Sequence, residues 1–179
     1  MRQMFFAFGC WLILSNSLQS EETPNTLSES EKEAGWKLLF SWEWKLSEKG
    51  NNGVKYFITS ERKAPVGHEY QMIDDTTVKD DRSGNASFYL VVAPKKDKPN
   101  RPMGEWNTSR ILVKGNHVEH WLNGEKVLEY ECGGPEVMKQ VPLTKFKKYP
   151  GFGEKVTGHI LLTDHKDPCW YRNLKIREL

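Results

Sequence analysis

The chain has 179 residues, which is the size of one domain and argues against two independently folded cores. With 26 Lys and Arg against 24 Asp and Glu, the formal net charge is +2, which excludes the strongly basic surface of a dedicated nucleic-acid binder. A content of 37% hydrophobic and 12% aromatic residues excludes a wholly disordered chain. The 7 tryptophans are many for this length.

The segment 1–20 has the organisation of a secretory signal peptide. Arg2 precedes an apolar run from Met4 to Leu14, and small polar residues follow as far as Ser20. The run is too short to span a bilayer as a helix, and the sequence has no second run of this kind. We therefore expect a secreted or periplasmic protein without a membrane segment once the signal peptide is removed.

After a polar leader at 21–34, in which 28–34 is predicted as a short helix, apolar residues recur at every second position, as in strands. In 40–46 one face carries Phe40, Trp42, Trp44 and Leu46, which we interpret as sandwich core rather than as a platform for stacking sugars. Further strands are predicted at 54–59, 69–74, 88–93, 106–114, 117–122, 125–130, 159–164 and 170–178.

Turn residues join the strands in the middle of the chain. Gly115-Asn116 separates the first pair, and Asn123-Gly124 separates the second with the strongest two-residue hairpin signal. The segment 133–154 is predicted as irregular. Short strands without a long helix predict an all-β fold, a β-sandwich that forms a single domain over 35–179.

Polar side chains on one predicted strand are candidates for a binding site. Glu69 and Gln71 share a face, which is either the solvated outside of the sandwich or a groove for a sugar. A carboxylate accepts hydrogen bonds and an amide both donates and accepts them, so the pair suits sugar hydroxyls. Asp74, at the end of the same strand, either joins this set or serves as a turn residue.

Histidines and cysteines give weaker signals. His165, which follows Asp164 at a strand end, is either a group for proton transfer at the rim of a groove or a solvent-exposed loop residue. His117 and His120 are three residues apart on a strand, so they face opposite sides and form a poor metal pair. Beyond the signal peptide the cysteines are Cys132 and Cys169, which form either a disulfide or two buried thiols.

Several segments resemble, in order, the secreted bacterial family known as DUF1080 or the 3-keto-disaccharide hydrolase domain. They are 35–40, 51–57, 68–75, 104–107, 121–124, 158–165 and 170–176. The resemblance implies a concanavalin A-like jelly-roll β-sandwich that acts on an oxidised, 3-keto glucoside or disaccharide. It gives no reason to expect a nucleic-acid partner, and the lysines of 95–98 and 145–148 are predicted to be solvated.

The resemblance also implies a chemistry. A ketone at C3 acidifies the proton at C2, so that a base removes this proton, the C1–oxygen bond breaks by elimination, and water adds afterwards. Glu69 or His165 is the expected base or acid. The expected contacts to the substrate or its enolate are Gln71, Lys55, Asp74, Arg172 and Asp164. A divalent metal ion held by His165 with Glu69 or Asp164 is an alternative means of stabilising the enolate. No other cofactor is indicated.

The chain departs from the family pattern at one junction. Family members have further strands between the Leu-Phe segment and the Trp-Glu-Trp segment, whereas here Phe40 runs directly into Ser41. This predicts an internal deletion, an incomplete sandwich, and an exposed sheet edge through which an oligomer can form. The competing functions are therefore a non-catalytic carbohydrate-binding module and an inactive shortened homologue.

Overall fold

The computed structural model describes Glu33 and residues 38–178. The predicted signal peptide at 1–20 lies outside the described residues. So does the predicted leader at 21–34, apart from Glu33, and so do residues 35–37, which precede β1. Within the described part, no helix is both long enough and apolar enough to cross a bilayer.

Strands dominate the described part of the chain. They are β1 (Leu38–Leu46), β2 (Asn51–Ile58), β3 (His68–Ile73), β4 (Asn107–Lys114), β5 (His117–Leu122), β6 (Glu125–Glu131), β7 (His159–Leu162) and β8 (Cys169–Glu178). A larger, five-stranded sheet has the order β6-β5-β4-β1-β8, and a smaller, three-stranded sheet has the order β3-β2-β7. All of these pairings are antiparallel, which confirms the predicted β-sandwich.

Two tryptophans of β1 lie in the core between the sheets. Trp42 and Trp44 are 1% and 0% exposed, so the prediction that this face is core is confirmed. The indole N–H of Trp42 donates to the sulfur of Met72 in the smaller sheet at 3.4 Å. The indole N–H of Trp44 donates to Oγ of Ser109 at 2.8 Å. Each ring therefore fills the core and also has a partner for its buried donor.

The predicted hairpin at Asn123-Gly124 is present between β5 and β6. Both residues have positive φ, 47° for Asn123 and 88° for Gly124, as a type I′ turn requires. Leu122 pairs with Glu125 across the turn. The local sequence is sufficient to predict this hairpin, because the conformation of the turn depends on these two residues.

The predicted strand at 88–93 is wrong. Phe88 forms only isolated bridges, to Tyr70 and to Val92. Ala86 and Leu90 have φ of 63° and 65°, so the chain turns tightly instead of extending. The segment lies along the edge of β3, where the backbone N–H of Tyr89 donates to the carbonyl of Glu69.

The prediction that 133–154 is irregular is also wrong in part. A short helix, α1 (Pro135–Gln140), begins with proline in its first turn, where the missing N–H costs nothing. Two 3-10 turns follow, Val141–Leu143 and Lys145–Lys148. They bury Phe146, which stacks on Phe152 at 4.1 Å between ring centres.

The two sheets differ in width, and this leaves one flank of the core open. Ile176 of β8 pairs with Phe40 and therefore faces the core side, yet it is 62% exposed. Leu174 on the same side is 45% exposed, and Leu162 of β7 is 38% exposed. We call these three residues the open flank. It lies between the edge strands β7 and β8.

The two cysteines of the described part are both free thiols. Cys132 is buried and Cys169 is half-buried, and burial raises the pKa of both. Of the two predicted alternatives, the structure therefore has the unpaired thiols.

Candidate functional site

The outer face of the smaller sheet carries Glu69. Its neighbours in β3, Tyr70 and Met72, are fully buried between the sheets, so Glu69 points away from the core. Lys55 of β2 is its direct cross-strand partner. Although Glu69 is on an outer face, only 5% of it is exposed. The 84–92 turn is hydrogen-bonded along the edge of β3, and Lys145 is near enough for its charge to act on the carboxyl group.

The environment of Glu69 favours its protonated form. Burial raises the pKa of its carboxyl group above the usual value, while the charges of Lys55, His165 and Lys145 act in the opposite direction. A carboxyl group of this kind keeps its proton to a higher pH than an exposed one, and it is a stronger base once ionised. It is therefore suited to both proton donation and proton removal.

Gln71 lies two residues further along the same face. Its Nε2 donates to Oδ1 of Asn51 at 3.0 Å, and its side chain is almost completely buried. Its backbone N–H donates to the carbonyl of Ser87, and its carbonyl accepts from the N–H of Ala86. These bonds hold the amide group in one orientation beside Glu69.

His165 and Asp164 form the rim of this face. Both are exposed, and Oδ1 of Asp164 accepts from the backbone N–H of Lys166 at 2.8 Å. The phenol of Tyr171 lies below them and donates to Oδ1 of Asn52 at 3.2 Å. Burial raises the pKa of Tyr171, the neighbouring Cys169 raises it further, and the charges of Glu69 and Asp164 act in the same direction. The structure thus brings Glu69, Lys55, His165 and Asp164 to one region.

Two predicted site residues lie elsewhere. Asp74 is the N-cap of a 3-10 turn, and its Oδ1 accepts from the backbone N–H of Thr76 at 3.0 Å. Arg172 lies on the outer face of the larger sheet, on the opposite side of the sandwich from Glu69. There its Nε donates to Glu43 at 2.7 Å, and its guanidinium group lies 3.9 Å from the ring centre of Trp106.

Residues 16–177 match the family of 3-keto-alpha-glucoside-1,2-lyase-like domains. The chain belongs to this family. It is 32% identical over 165 residues to a 3-keto-disaccharide hydrolase of Bacteroides thetaiotaomicron, a match that covers 76% of this chain. The chain spans only 57% of the length of that relative.

Solved structures agree with this membership in the lyase-like family. A Parabacteroides distasonis protein classed as a glycosyl hydrolase is 32% identical, with a TM-score of 0.71 over 80% of this chain and 70% of the other. A second protein of the same organism and class is 24% identical, with a TM-score of 0.63 over 80% of this chain and 79% of the other, and shows the likeness of fold.

Three residues near Glu69 in this lyase-like domain were missed by the sequence reasoning. They are Lys145, Tyr89 and Tyr171. The ammonium group of Lys145 lies 4.8 Å from the ring centre of Tyr89, and the charge of Lys145 acts on Glu69. Lys145 was predicted only as a solvated lysine. Tyr171 stands next to Arg172 in a segment that resembles the family, and strand alternation places the two on opposite faces.

The predicted metal ligands are not part of a three-ligand group among the described residues of this family member. Among the residues that the structure describes, one group of at least three ligating side chains has its donor atoms within 4.8 Å of one another, and it consists of His117, Glu119 and Glu129. His165, Glu69 and Asp164 do not form such a group. We therefore derive no reaction step from a metal ion at the outer face of the smaller sheet.

Proposed function

We propose that this chain is a carbohydrate-active enzyme that cleaves 3-keto-glycosides, with Glu69 as the central proton-transfer group. The buried carboxyl group of Glu69, surrounded by Lys55, His165 and Lys145, is the observation that carries the proposal. Membership in the lyase-like family and the names of the relatives support the substrate class.

The first step is removal of the proton at C2 of the 3-keto sugar. The ionised Glu69 carboxylate accepts this proton, and the electron pair of the C2–H bond moves towards the C3 ketone to form an enolate. Positive charge from Lys55 and Lys145 favours the enolate oxygen, as a preorganised electrostatic environment does in other enzymes.

The second step is departure of the group at C1. The enolate electrons form the C1–C2 double bond, the C1–oxygen bond breaks, and the leaving oxygen takes a proton. His165 at the rim is the donor we assign, since an imidazole exchanges protons readily near neutral pH. Addition of water across the double bond then gives net hydrolysis. Gln71 is assigned to the sugar hydroxyls because its amide group both donates and accepts.

Release of the aglycone from a 3-keto-glucoside tests this proposal. Glu69→Gln keeps the size of the side chain and removes the base, so we expect a loss of at least a hundredfold in kcat. His165→Ala should lower kcat about tenfold or more, because water can replace an exposed donor in part. Glu61→Gln and His159→Ala change an exposed carboxylate and an exposed histidine elsewhere and serve as matched controls.

A non-catalytic carbohydrate-binding module is the second candidate. It is favoured by the narrow smaller sheet, which has three strands in the part of the chain that the structure describes. Binding of a 3-keto-glucoside without release of aglycone, equal in the wild type and Glu69→Gln, would establish this function instead. An inactive homologue would neither bind nor cleave the sugar.

A further inference from the structure

A cluster of metal-ligating side chains lies on the outer face of the larger sheet, away from the outer face that carries Glu69. His117 and Glu119 are two residues apart on β5 and therefore share that face. Glu129 of β6 is the direct cross-strand partner of Glu119. All three side chains belong to one hairpin, so the backbone fixes their relative positions.

The donor atoms of these three residues converge. Nε2 of His117 lies 3.6 Å from Oε1 of Glu119 and 3.6 Å from Oε2 of Glu129. Zinc–nitrogen and zinc–oxygen bonds of about 2.0–2.1 Å with tetrahedral angles place ligand atoms roughly 3.4 Å apart. The two separations from Nε2 of His117 are therefore within a few tenths of an ångström of this value, and all three donor atoms lie within 4.8 Å of one another.

The other polar atoms of the ligands are already held by neighbours. Nδ1 of His117 lies 2.8 Å from Oε1 of Glu131, a bond that directs Nε2 towards the two carboxylates. Oε2 of Glu119 accepts from the indole N–H of Trp121 at 2.7 Å. Its other oxygen, Oε1, therefore faces the position at which the three donor atoms converge. A histidine that donates its second N–H to a carboxylate is the usual arrangement around a protein-bound zinc ion.

A cation already occupies part of this position. The ammonium group of Lys126 lies 3.1 Å from Oε1 of Glu119 and 2.8 Å from Oε2 of Glu129, which are the same two oxygens that face His117. Glu119 is only 6% exposed, so its charge needs a close counter-charge. The side chain of Lys126 is 39% exposed and can rotate into solvent when a metal ion takes its place.

The local charge favours a dication. Among the described residues, Glu119, Glu129 and Glu131 are acidic, whereas the ammonium group of Lys126 contacts Glu119 and Glu129. Lys114 of β4 is the cross-strand partner of His117. Like charges placed directly opposite each other, as in the Glu119–Glu129 pair, destabilise a sheet unless a cation separates them. An ion of charge +2 neutralises this group more completely than one ammonium group does.

We propose that His117, Glu119 and Glu129 bind a divalent transition-metal ion of the zinc class, which displaces Lys126. Three protein ligands of this kind leave a fourth position for water. Because β6 is one of the two edge strands of the larger sheet in the described part of the chain, the ion fastens the β5–β6 hairpin at that edge. The site is separate from the proposed active site, and the proposal does not depend on the proposed function.

Titration of the chelator-treated chain with ZnCl2, followed by calorimetry, tests this site. The wild type should bind one equivalent of zinc, and the variants His117→Gln and Glu129→Gln should not bind it. Lys126→Gln removes the competing ammonium group and should bind zinc more tightly. His159→Gln, which changes an exposed histidine on β7, is the matched control and should keep the equivalent.

The thermal unfolding temperature gives a second readout that does not require turnover. ZnCl2 should raise it for the wild type and for Lys126→Gln, but not for Glu129→Gln, whose altered side chain is 54% exposed and does not compromise folding. The proposal is overturned if Glu129→Gln and the wild type bind the same number of zinc ions with the same affinity, or if Lys126→Gln binds zinc more weakly.

Discussion

The carboxylate of Glu69 fills the space next to Gly53 that a Cβ atom would occupy if position 53 held any residue other than glycine. A Cβ built on Gly53 lies 2.5 Å from Oε1 of Glu69 and 3.1 Å from its Cγ. The two strands therefore meet closely at this point, and the orientation of the proposed base depends on the absence of a side chain from its neighbour.

Gly53→Ala should displace the Glu69 carboxylate and lower the free energy of unfolding by about 1–3 kcal/mol, as overpacking does. It should also reduce cleavage of a 3-keto-glucoside. In a Glu69→Ala background the same substitution should cost less than about 0.5 kcal/mol, because the clash is gone. Urea unfolding of the four variants of this cycle gives the coupling. Equal effects of Gly53→Ala in both backgrounds would contradict the contact.

Ser109→Ala should destabilise the core without changing its volume greatly. Oγ of Ser109 accepts from the indole N–H of Trp44 at 2.8 Å and donates to the hydroxyl of Tyr70 at 2.8 Å. Its loss leaves a buried donor without a partner, which costs about 1–3 kcal/mol. Urea unfolding measures this cost. Thr108→Ala, at the exposed neighbour on β4, should stay within about 0.5 kcal/mol of the wild type.

Two histidines buried in the core should make the protein sensitive to acid. Burial lowers the pKa of His68 to about 3 and that of His120 to about 4, from the usual 6.5. The unfolded chain therefore binds protons that the folded chain does not, and the free energy of unfolding falls as the pH drops from about 6.5 towards 4.

His120→Gln tests this acid sensitivity. Nδ1 of His120 lies 2.9 Å from the carbonyl of Ala86, so it donates there, and Nε2 accepts from the hydroxyl of Tyr56. Removing the imidazole should flatten the pH slope by up to about 1.4 kcal/mol per pH unit between pH 6 and 4.5. Glu69, with its raised pKa, gives an opposite slope that is common to both proteins. Urea unfolding at several pH values measures how the free energy of unfolding depends on pH in the wild type and in His120→Gln. Parallel slopes for the two proteins would contradict a lowered pKa of His120.

The open flank should promote association between copies of this chain. Leu174 and Ile176 are exposed on the core side of β8. In the described part of the chain β8 is an edge strand of the larger sheet, paired with β1 on one side only. Leu174→Lys should therefore weaken self-association in sedimentation experiments. Leu143→Lys changes a leucine that is 75% exposed in a 3-10 turn and should have no effect. A wild type that stays monomeric at high concentration would rule out this edge as an interface.

The alternation of apolar and polar residues predicts which side chains are buried wherever one face of a strand packs in the core and the other face does not. The positions of Trp42 and Trp44 on the core face of β1 follow directly from it, and so does the opposite placement of Glu69 and Tyr70. Alternation failed at 88–93, where Leu90 adopts a positive φ, as does the nearby Ala86. Nothing in the side chains of these two residues encodes that conformation, so the surrounding packing must impose it.

The sequence by itself determined a single β-sandwich rich in core aromatics, the Asn123-Gly124 hairpin, and a carboxylate with an amide on one strand face. These depend on residues close together in the chain. Only the tertiary structure decided that Glu69 is buried beside Lys145, that Arg172 lies on the opposite sheet, and that His117 meets Glu129. Burial and electrostatic contact are made by segments far apart in sequence, and alternation says which face a residue is on but not what covers that face.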